Sequence, residues 1–163
     1  MVWPASIGQK RLWFLQQMAP TSPHFNRPIA ARFQKGLRAD LTERVLGELV
    51  RRHSALRTTI ENSNGELVQV VQQWSMPELR VIDLGKDVNL EDRLKSIQEE
   101  EARRPIDIMG GSLVRFTLVN LAASDQVLLI TMHHAISDGV SNNVLLREFL
   151  ALYDAFAGDL RSP

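Results

Sequence analysis

Two adjacent histidines, His133 and His134, followed by Asp138 and Gly139, are the residues of this chain whose types and spacing best suit chemistry. Imidazole titrates near neutrality, with a reference pKa of about 6.5. A positioned histidine can therefore take a proton from an attacking amine or hydroxyl without an activated side-chain nucleophile. An aspartate in such a loop can hold a turn, and the glycine beside it permits a bend, or a close ligand approach that a Cβ would block. The histidines follow Val127 to Met132, a nearly unbroken apolar run that reads as a central strand. They stand where a buried strand leaves its sheet, a place that sites favour. Adjacent strand residues point to opposite faces, so only one of the two imidazoles can face a site. On spacing alone three readings stay open: a catalytic base, a hydrogen-bonded structural pair, and a metal ligand, the last without a third ligand at a recognisable spacing.

The elements that must position this loop are legible as alternations of pattern. Ser6 suits the cap of a helix to about Met18, with Leu12, Leu15 and Met18 on one face; Pro20 and Pro23 stop it. Ile29 to Phe33 reads as a strand after Pro28, and Asp40 with Glu43 forms a capping-box pattern ahead of Leu41, Val45, Leu46, Leu49 and Val50. Thr58 to Glu61 and Leu67 to Val71 flank Asn64-Gly65, a hairpin signal, because tight hairpin turns require positive φ. Leu79 to Ile82 suits a short strand. Asn89 opens a charged helix to about Arg103, with Leu90, Leu94 and Ile97 inward, and Pro105 ends it. Glu99, Glu100 and Glu101 with Arg103 and Arg104 read as its solvated face. Leu113 to Leu121 and Gln126 to Met132 are strands, and Ser141 to Ala157 is a helix with Val144, Leu145, Phe149, Leu152 and Tyr153 as its stripe and Gly158 beyond it.

The 163 residues and 44% hydrophobic content suit one compact αβ domain, residues 1–163, and nothing divides the chain in two. Nineteen Lys and Arg balance nineteen Asp and Glu, so no net field attracts nucleic acid or an anionic membrane. The absence of cysteine excludes disulfides, thiolate nucleophiles and thiolate metal sites. The apolar run at Val127 is far below the roughly 20 residues needed to cross a bilayer, and a cytoplasmic address is expected. Trp3 and Trp74 read as core or surface aromatics, and Arg11, Leu12 and Trp13 as helix packing.

The stretch Val127 to Ser141, containing His-His-Ala-Ile-Ser-Asp-Gly, resembles the HHxxxDG signature of nonribosomal peptide synthetase condensation domains and of the wider chloramphenicol acetyltransferase-like acyltransferases. Ser6 to Leu15 resembles the family's opening SxAQxRLWxL motif, with Gly8 where alanine is usual. Arg52 to Thr58 resembles its RHExLRT motif, with Ser54 in place of glutamate, which leaves the condensation subtype open. Ser22 to Pro28, Arg104 to Asp107 and Gly111 to Arg115 are also similar to family sequence, so the resemblance covers essentially the whole chain.

That resemblance implies an α/β fold of the α+β sandwich type, a chloramphenicol acetyltransferase-like lobe with a mixed β-sheet flanked by helices. It implies the N-terminal lobe of a condensation domain whose C-terminal lobe is absent, so that the chain alone is expected to be inactive and prone to self-association through its exposed interface. The implied reaction is amide-bond formation between a carrier-tethered acyl donor and an aminoacyl acceptor. His134 would act on the acceptor amine, and Gly139 would keep space open beside the thioester. His133 would anchor the loop, and Asp138 would pair with Arg57 to fix it. No metal or directly bound cofactor is implied; phosphopantetheine would arrive on donor and acceptor carrier proteins. The alternatives are an acyltransferase of the same superfamily using coenzyme A or free substrates, an epimerisation domain, whose continuation Val140 to Asn143 does not resemble, and a non-catalytic carrier-docking fragment.

Overall fold

A computed structural model describes residues 1–85 and 88–158, so residues 159–163, the end of the 1–163 unit expected above, lie outside the described residues. The expected mixed sheet is present, and a second, smaller sheet accompanies it. The mixed sheet contains β2 (Asn26–Phe33), β5 (Leu79–Asp83), β6 (Val114–Ala122) and β7 (Asp125–His133), in the order β2-β7-β6-β5, with only β5 and β6 running parallel. Strands β1 (Val2–Pro4), β3 (Thr58–Ser63) and β4 (Glu66–Val71) make the smaller one, antiparallel throughout, in the order β1-β4-β3. The separation starts at the N-terminus: Val2 pairs with Val70, which draws β1 to the hairpin and away from the larger sheet. The β3-β4 turn is the one expected, with Asn64 and Gly65 at φ values of 53° and 87°.

Among the described residues four α-helices flank the sheets: α1 (Ile7–Met18), α2 (Ala39–Arg52), α3 (Leu90–Arg103) and α4 (Gly139–Ala157). Strand β7 is buried from Gln126 to His133 on both faces. Its Leu128, Ile130 and Met132 join Phe116 and Leu118 of β6 against Leu46 and Leu49 of α2 and Phe149 and Leu152 of α4. Val127 and Leu129 face the other way, onto Leu94 and Ile97 of α3. Truncating a residue such as Ile130 to alanine in this double-sided core costs about 2–5 kcal/mol. Strand β2 begins at Asn26 rather than after Pro28, because it is an edge strand, where proline's missing N–H is tolerated.

Three local expectations fail for identifiable reasons. In α1 the expected stripe holds only in part: Leu12 packs against the cluster of Ile60, Ile106 and Ile108, but Met18 is 72% exposed, Leu15 is also exposed, and Gln16 is the buried residue. The amide of Gln16 satisfies two backbone groups of the 104–109 loop at once, donating to the Ile106 carbonyl and accepting from the Ile108 N–H, each at 2.8 Å. In α2 the capping box of Asp40 and Glu43 does not form. The helix starts at Ala39, and the Asp40 carboxylate turns back to the Arg38 guanidinium at 2.6 Å. In α3 the charged run is not all solvated, because Glu101 is only 3% exposed. Its carboxylate accepts from Arg80, Arg115 and Thr117, while Arg115 also donates to the backbone carbonyls of Glu101, Arg104 and Pro105 that end the helix. A buried charge with partners of both kinds, ionic and hydrogen-bonded, is the arrangement that tolerates burial.

Replacing Gln16 by leucine keeps side-chain bulk but strands a buried N–H and a buried carbonyl. The midpoint of urea unfolding is expected to fall by the equivalent of about 2 kcal/mol, whereas the exposed neighbour change Gln17→Leu should move it by no more than about 0.5 kcal/mol.

Candidate functional site

Strand β7 carries the two histidines out of the sheet with its backbone paired to the end. The His133 N–H donates to the Leu113 carbonyl and the His134 N–H to the Phe25 carbonyl, both at 2.8 Å. Phe25 closes the short 3-10 turn Pro23–Phe25 that leads into β2, where Asn26 sits opposite His133. Asn26 is buried and donates to the carbonyls of Ala102 and Arg104 at 2.8 Å, so the same turn is also tied to the end of α3. The histidines are thus bracketed by segments far apart in the chain.

Beyond the strand the loop closes on itself. The His133 carbonyl accepts from the Ile136 N–H at 3.1 Å and from the Ser137 hydroxyl at 3.2 Å. Asp138 caps α4, its Oδ1 accepting from the Ser141 N–H at 2.8 Å and the Ser141 hydroxyl at 2.6 Å. The Ser141 hydroxyl, then its amide, hold the Asp138 carboxyl below the usual carboxylate range. Gly139 is the first residue of α4, outside the positive-φ region, and a Cβ built on it would meet nothing within 4 Å. The bend is therefore achieved without the conformational freedom of glycine; what Gly139 leaves is open space.

The two imidazoles occupy opposite environments. His133 has no exposed surface, and its Nδ1 accepts from the Ala135 N–H at 3.0 Å, which puts the proton of the neutral ring on Nε2. That Nε2 has no hydrogen-bond partner among the described residues, and the ring lies 5.9 Å from that of Phe25. Burial, and next the neighbouring His134, push the His133 imidazole down to about 4. His134 is half-buried, and its Nδ1 lies 2.8 Å from the Ser137 carbonyl. A carbonyl can only accept, so Nδ1 carries the proton and Nε2 is left as a lone pair. One histidine is a neutral packing element; the other is half-buried, with its ring held by a backbone carbonyl.

The expected pair of Asp138 and Arg57 does not form. Arg57 donates to the Val50 carbonyl at 3.0 Å and to the Gln72 carbonyl at 2.6 Å, stapling the end of α2 to the strand-end of the hairpin. Asp138 needs no remote cation, because the orphan amide of its own helix and the Ser141 hydroxyl satisfy it. Sequence reasoning passes over the two groups that orient His134 most directly, the carbonyls of Ser137 and Phe25, since a backbone acceptor has no side-chain signature. The spacing of Asp138 and Ser141 is the one signal, that of an N-cap, that could have found the true partner of the aspartate. Two cavities of about 760 and 720 Å³ flank the hairpin; the second reaches the loop at Ala135 and Ile136, and neither is lined by His134. Among the described residues, no cluster of three His, Asp or Glu could hold a metal, and no helix is long and apolar enough to cross a membrane.

Known proteins share sequence and fold with this chain. A family model described as "Condensation domain" matches residues 2–160. The chain is 36% identical over 157 residues to a linear gramicidin synthase of Brevibacillus parabrevis, which is 94% of this chain and 3% of that protein. It is 36% identical over 161 residues to malpinin synthetase of Mortierella alpina, 98% of this chain and 2% of that one. The starter condensation domain of rhizomide synthetase RzmA superposes with a TM-score of 0.94 at 18% identity, covering 100% of this chain and 40% of that one. The first condensation domain of the calcium-dependent antibiotic synthetase, in complex with a substrate analogue, gives 0.87 at 18% identity, covering 100% and 39%. The chain thus spans a few per cent of the curated relatives it matches and about 40% of the solved domains, whose likeness establishes the fold.

The His133 environment generates a pH dependence. A folded pKa of about 4 lies below the ordinary 6.5, so between these values the unfolded chain binds the proton and the folded chain does not. Stability should fall as pH drops from 6.5 towards 4, by about 1.4 kcal/mol per pH unit, and level off below. Urea unfolding at pH 6.5 and pH 5 should show a loss of about 2 kcal/mol from this group, and His133→Asn should remove that increment whatever its effect at pH 6.5.

Proposed function

The chain belongs to the condensation domain family, and from that premise we propose that it supplies the histidine-bearing half of an active site joining a carrier-tethered acyl thioester to a carrier-tethered amine. The family is of the acyltransferase type and acts on phosphopantetheine-tethered substrates. The observation that carries the proposal is the bond between His134 Nδ1 and the Ser137 carbonyl at 2.8 Å. It leaves Nε2 of this half-buried ring as the acceptor to which an acceptor amine can donate.

In the reaction proposed, the amine nitrogen attacks the thioester carbonyl and forms the C–N bond as His134 Nε2 takes or holds the amine proton. The C–S bond then breaks and the carrier thiol leaves with a proton, so the peptide passes from donor to acceptor without a covalent enzyme intermediate. Asp138 acts here through the helix: by capping α4 it fixes where the loop ends. His133 keeps the strand exit dry and supplies the acceptor that holds the Ala135 N–H, and Arg57 braces α2 against the hairpin. Gly139, with nothing within 4 Å of its would-be Cβ, leaves room for the thioester. A second wall is required to exclude water from the half-exposed imidazole, and the C-terminal lobe of the same domain is proposed to provide it, consistent with a chain that spans about 40% of the solved domains.

Intact-mass analysis of an acceptor-loaded carrier, incubated with a donor-loaded one, tests this reading. The chain alone should give no product, its natural continuation through the second lobe should give it, and His134→Ala in that longer form should lose at least about a hundred-fold in rate. Equal turnover by the alanine variant sinks the role of His134; turnover with a coenzyme A thioester as donor and a free amine as acceptor, in place of the two carriers, favours a relative that does not use them.

Gly139→Ala separates fold from site. The fold should accept it, because the methyl meets no neighbour and the residue is not at positive φ. A melting temperature equal to or above wild type together with reduced condensation by the full domain is expected; unchanged condensation would remove Gly139 from the site.

A further inference from the structure

The side chain of Gln9 touches three separate parts of the chain. Its Oε1 accepts from the Ser6 N–H at 2.8 Å, while the Ser6 hydroxyl accepts from the Gln9 N–H at 3.1 Å, the two halves of the capping box that opens α1. Its Nε2 donates to Gln69 Oε1 on β4 at 3.3 Å and to the Ala135 carbonyl at 3.4 Å. Gln69 in turn donates to the Pro4 carbonyl at 3.4 Å. Capping accounts for the oxygen alone, and a glutamate would serve that purpose equally well. The nitrogen is committed to the residue that follows His134.

Ala135 is held at both its backbone groups: its N–H by His133 Nδ1 and its carbonyl by Gln9 Nε2. His134 itself has its N–H on Phe25 and its ring on Ser137. We propose that Gln9 is a positioning residue for His134, the group that ties α1 and the three-stranded sheet to the Ala135 carbonyl and so fixes the direction in which the His134 imidazole faces its substrate. The proposal rests on the reading of His134 as the base. Both Nε2 bonds are at the long end of N–H···O geometry, so the tether is soft and its loss misdirects the loop without unfolding it.

Gln9→Glu divides the two roles, because it retains the capping oxygen and replaces the donor with an anion beside the Ala135 carbonyl. In the full condensation domain, assayed with loaded carriers, Gln9→Glu should keep the wild-type melting temperature and carrier KM. It should lower kcat roughly ten-fold, and it should move the imidazole limb of the kcat pH profile upward, since a nearby carboxylate favours the charged ring. Gln9→Met, which loses the cap as well, should lower both the melting temperature and kcat. A Gln9→Glu enzyme with wild-type kcat and pH profile overturns the proposal while an inactive His134→Ala control leaves the role of His134 standing. An active His134→Ala control overturns the premise instead. If melting temperature and kcat fall together in Gln9→Glu, the Nε2 bonds hold the fold rather than the direction of the imidazole, and the proposal is overturned; if only Gln9→Met departs from wild type, Gln9 is a helix cap and nothing more.

Discussion

Strand β7 is dry on both faces, and a strand in that position must satisfy its backbone groups along both edges. That requirement governs the rest of the architecture. It places β2 on one side and β6 on the other, and carries the pairing to the strand's last residue and one beyond. It also obliges the chain to bring Phe25 and Leu113, 88 positions apart in sequence, to the same strand end. Helices α2 and α4 on one face and α3 on the other cover the sheet because its side chains alternate between them. The histidine loop inherits its rigidity from this arrangement.

The contrast between the two histidines follows directly. Identical side chains one residue apart are driven to opposite tautomers by what the strand pleat does with them. One is turned into the interior, where an acceptor role toward the Ala135 N–H is compatible only with a neutral ring; the other is turned to the surface, where a carbonyl takes its Nδ1 proton. No charged partner is needed for either outcome. The chemistry of the site is set by backbone groups and burial, which is why the arginine expected beside Asp138 is occupied elsewhere.

Much of this is legible in the residues alone, and the failures have a common cause. Periodicity identifies α2, the hairpin at Asn64-Gly65, β6, β7 and α4, because each has an uninterrupted apolar pattern or a turn residue with a fixed backbone demand. The family motifs point to the fold and to the loop. The losses among side chains are cases in which a polar group serves a distant backbone or an unforeseen partner: Gln16 reaching into the 104–109 loop, Glu101 collecting Arg80 and Arg115, and Asp138 answered by Ser141. Hydrophobic pattern assigns polar residues to solvent, and it has no means of marking those that are recruited inward to satisfy an irregular segment. The short β1 strand is a related loss, since three residues carry no period and its partner lies almost seventy positions away.

The anchoring of the loop by Ser6-capped α1, by the turn at Phe25 and by Leu113 bears on how such a chain can be rearranged. A signature of seven residues looks like a portable cassette, yet its geometry is written in the first 113 residues. A recombination breakpoint between Phe25 and His133 would join a loop to carbonyls that another lineage had placed for a different one. Exchange is therefore gentlest when the crossover falls after α4, leaving the whole lobe to move as a single inherited piece.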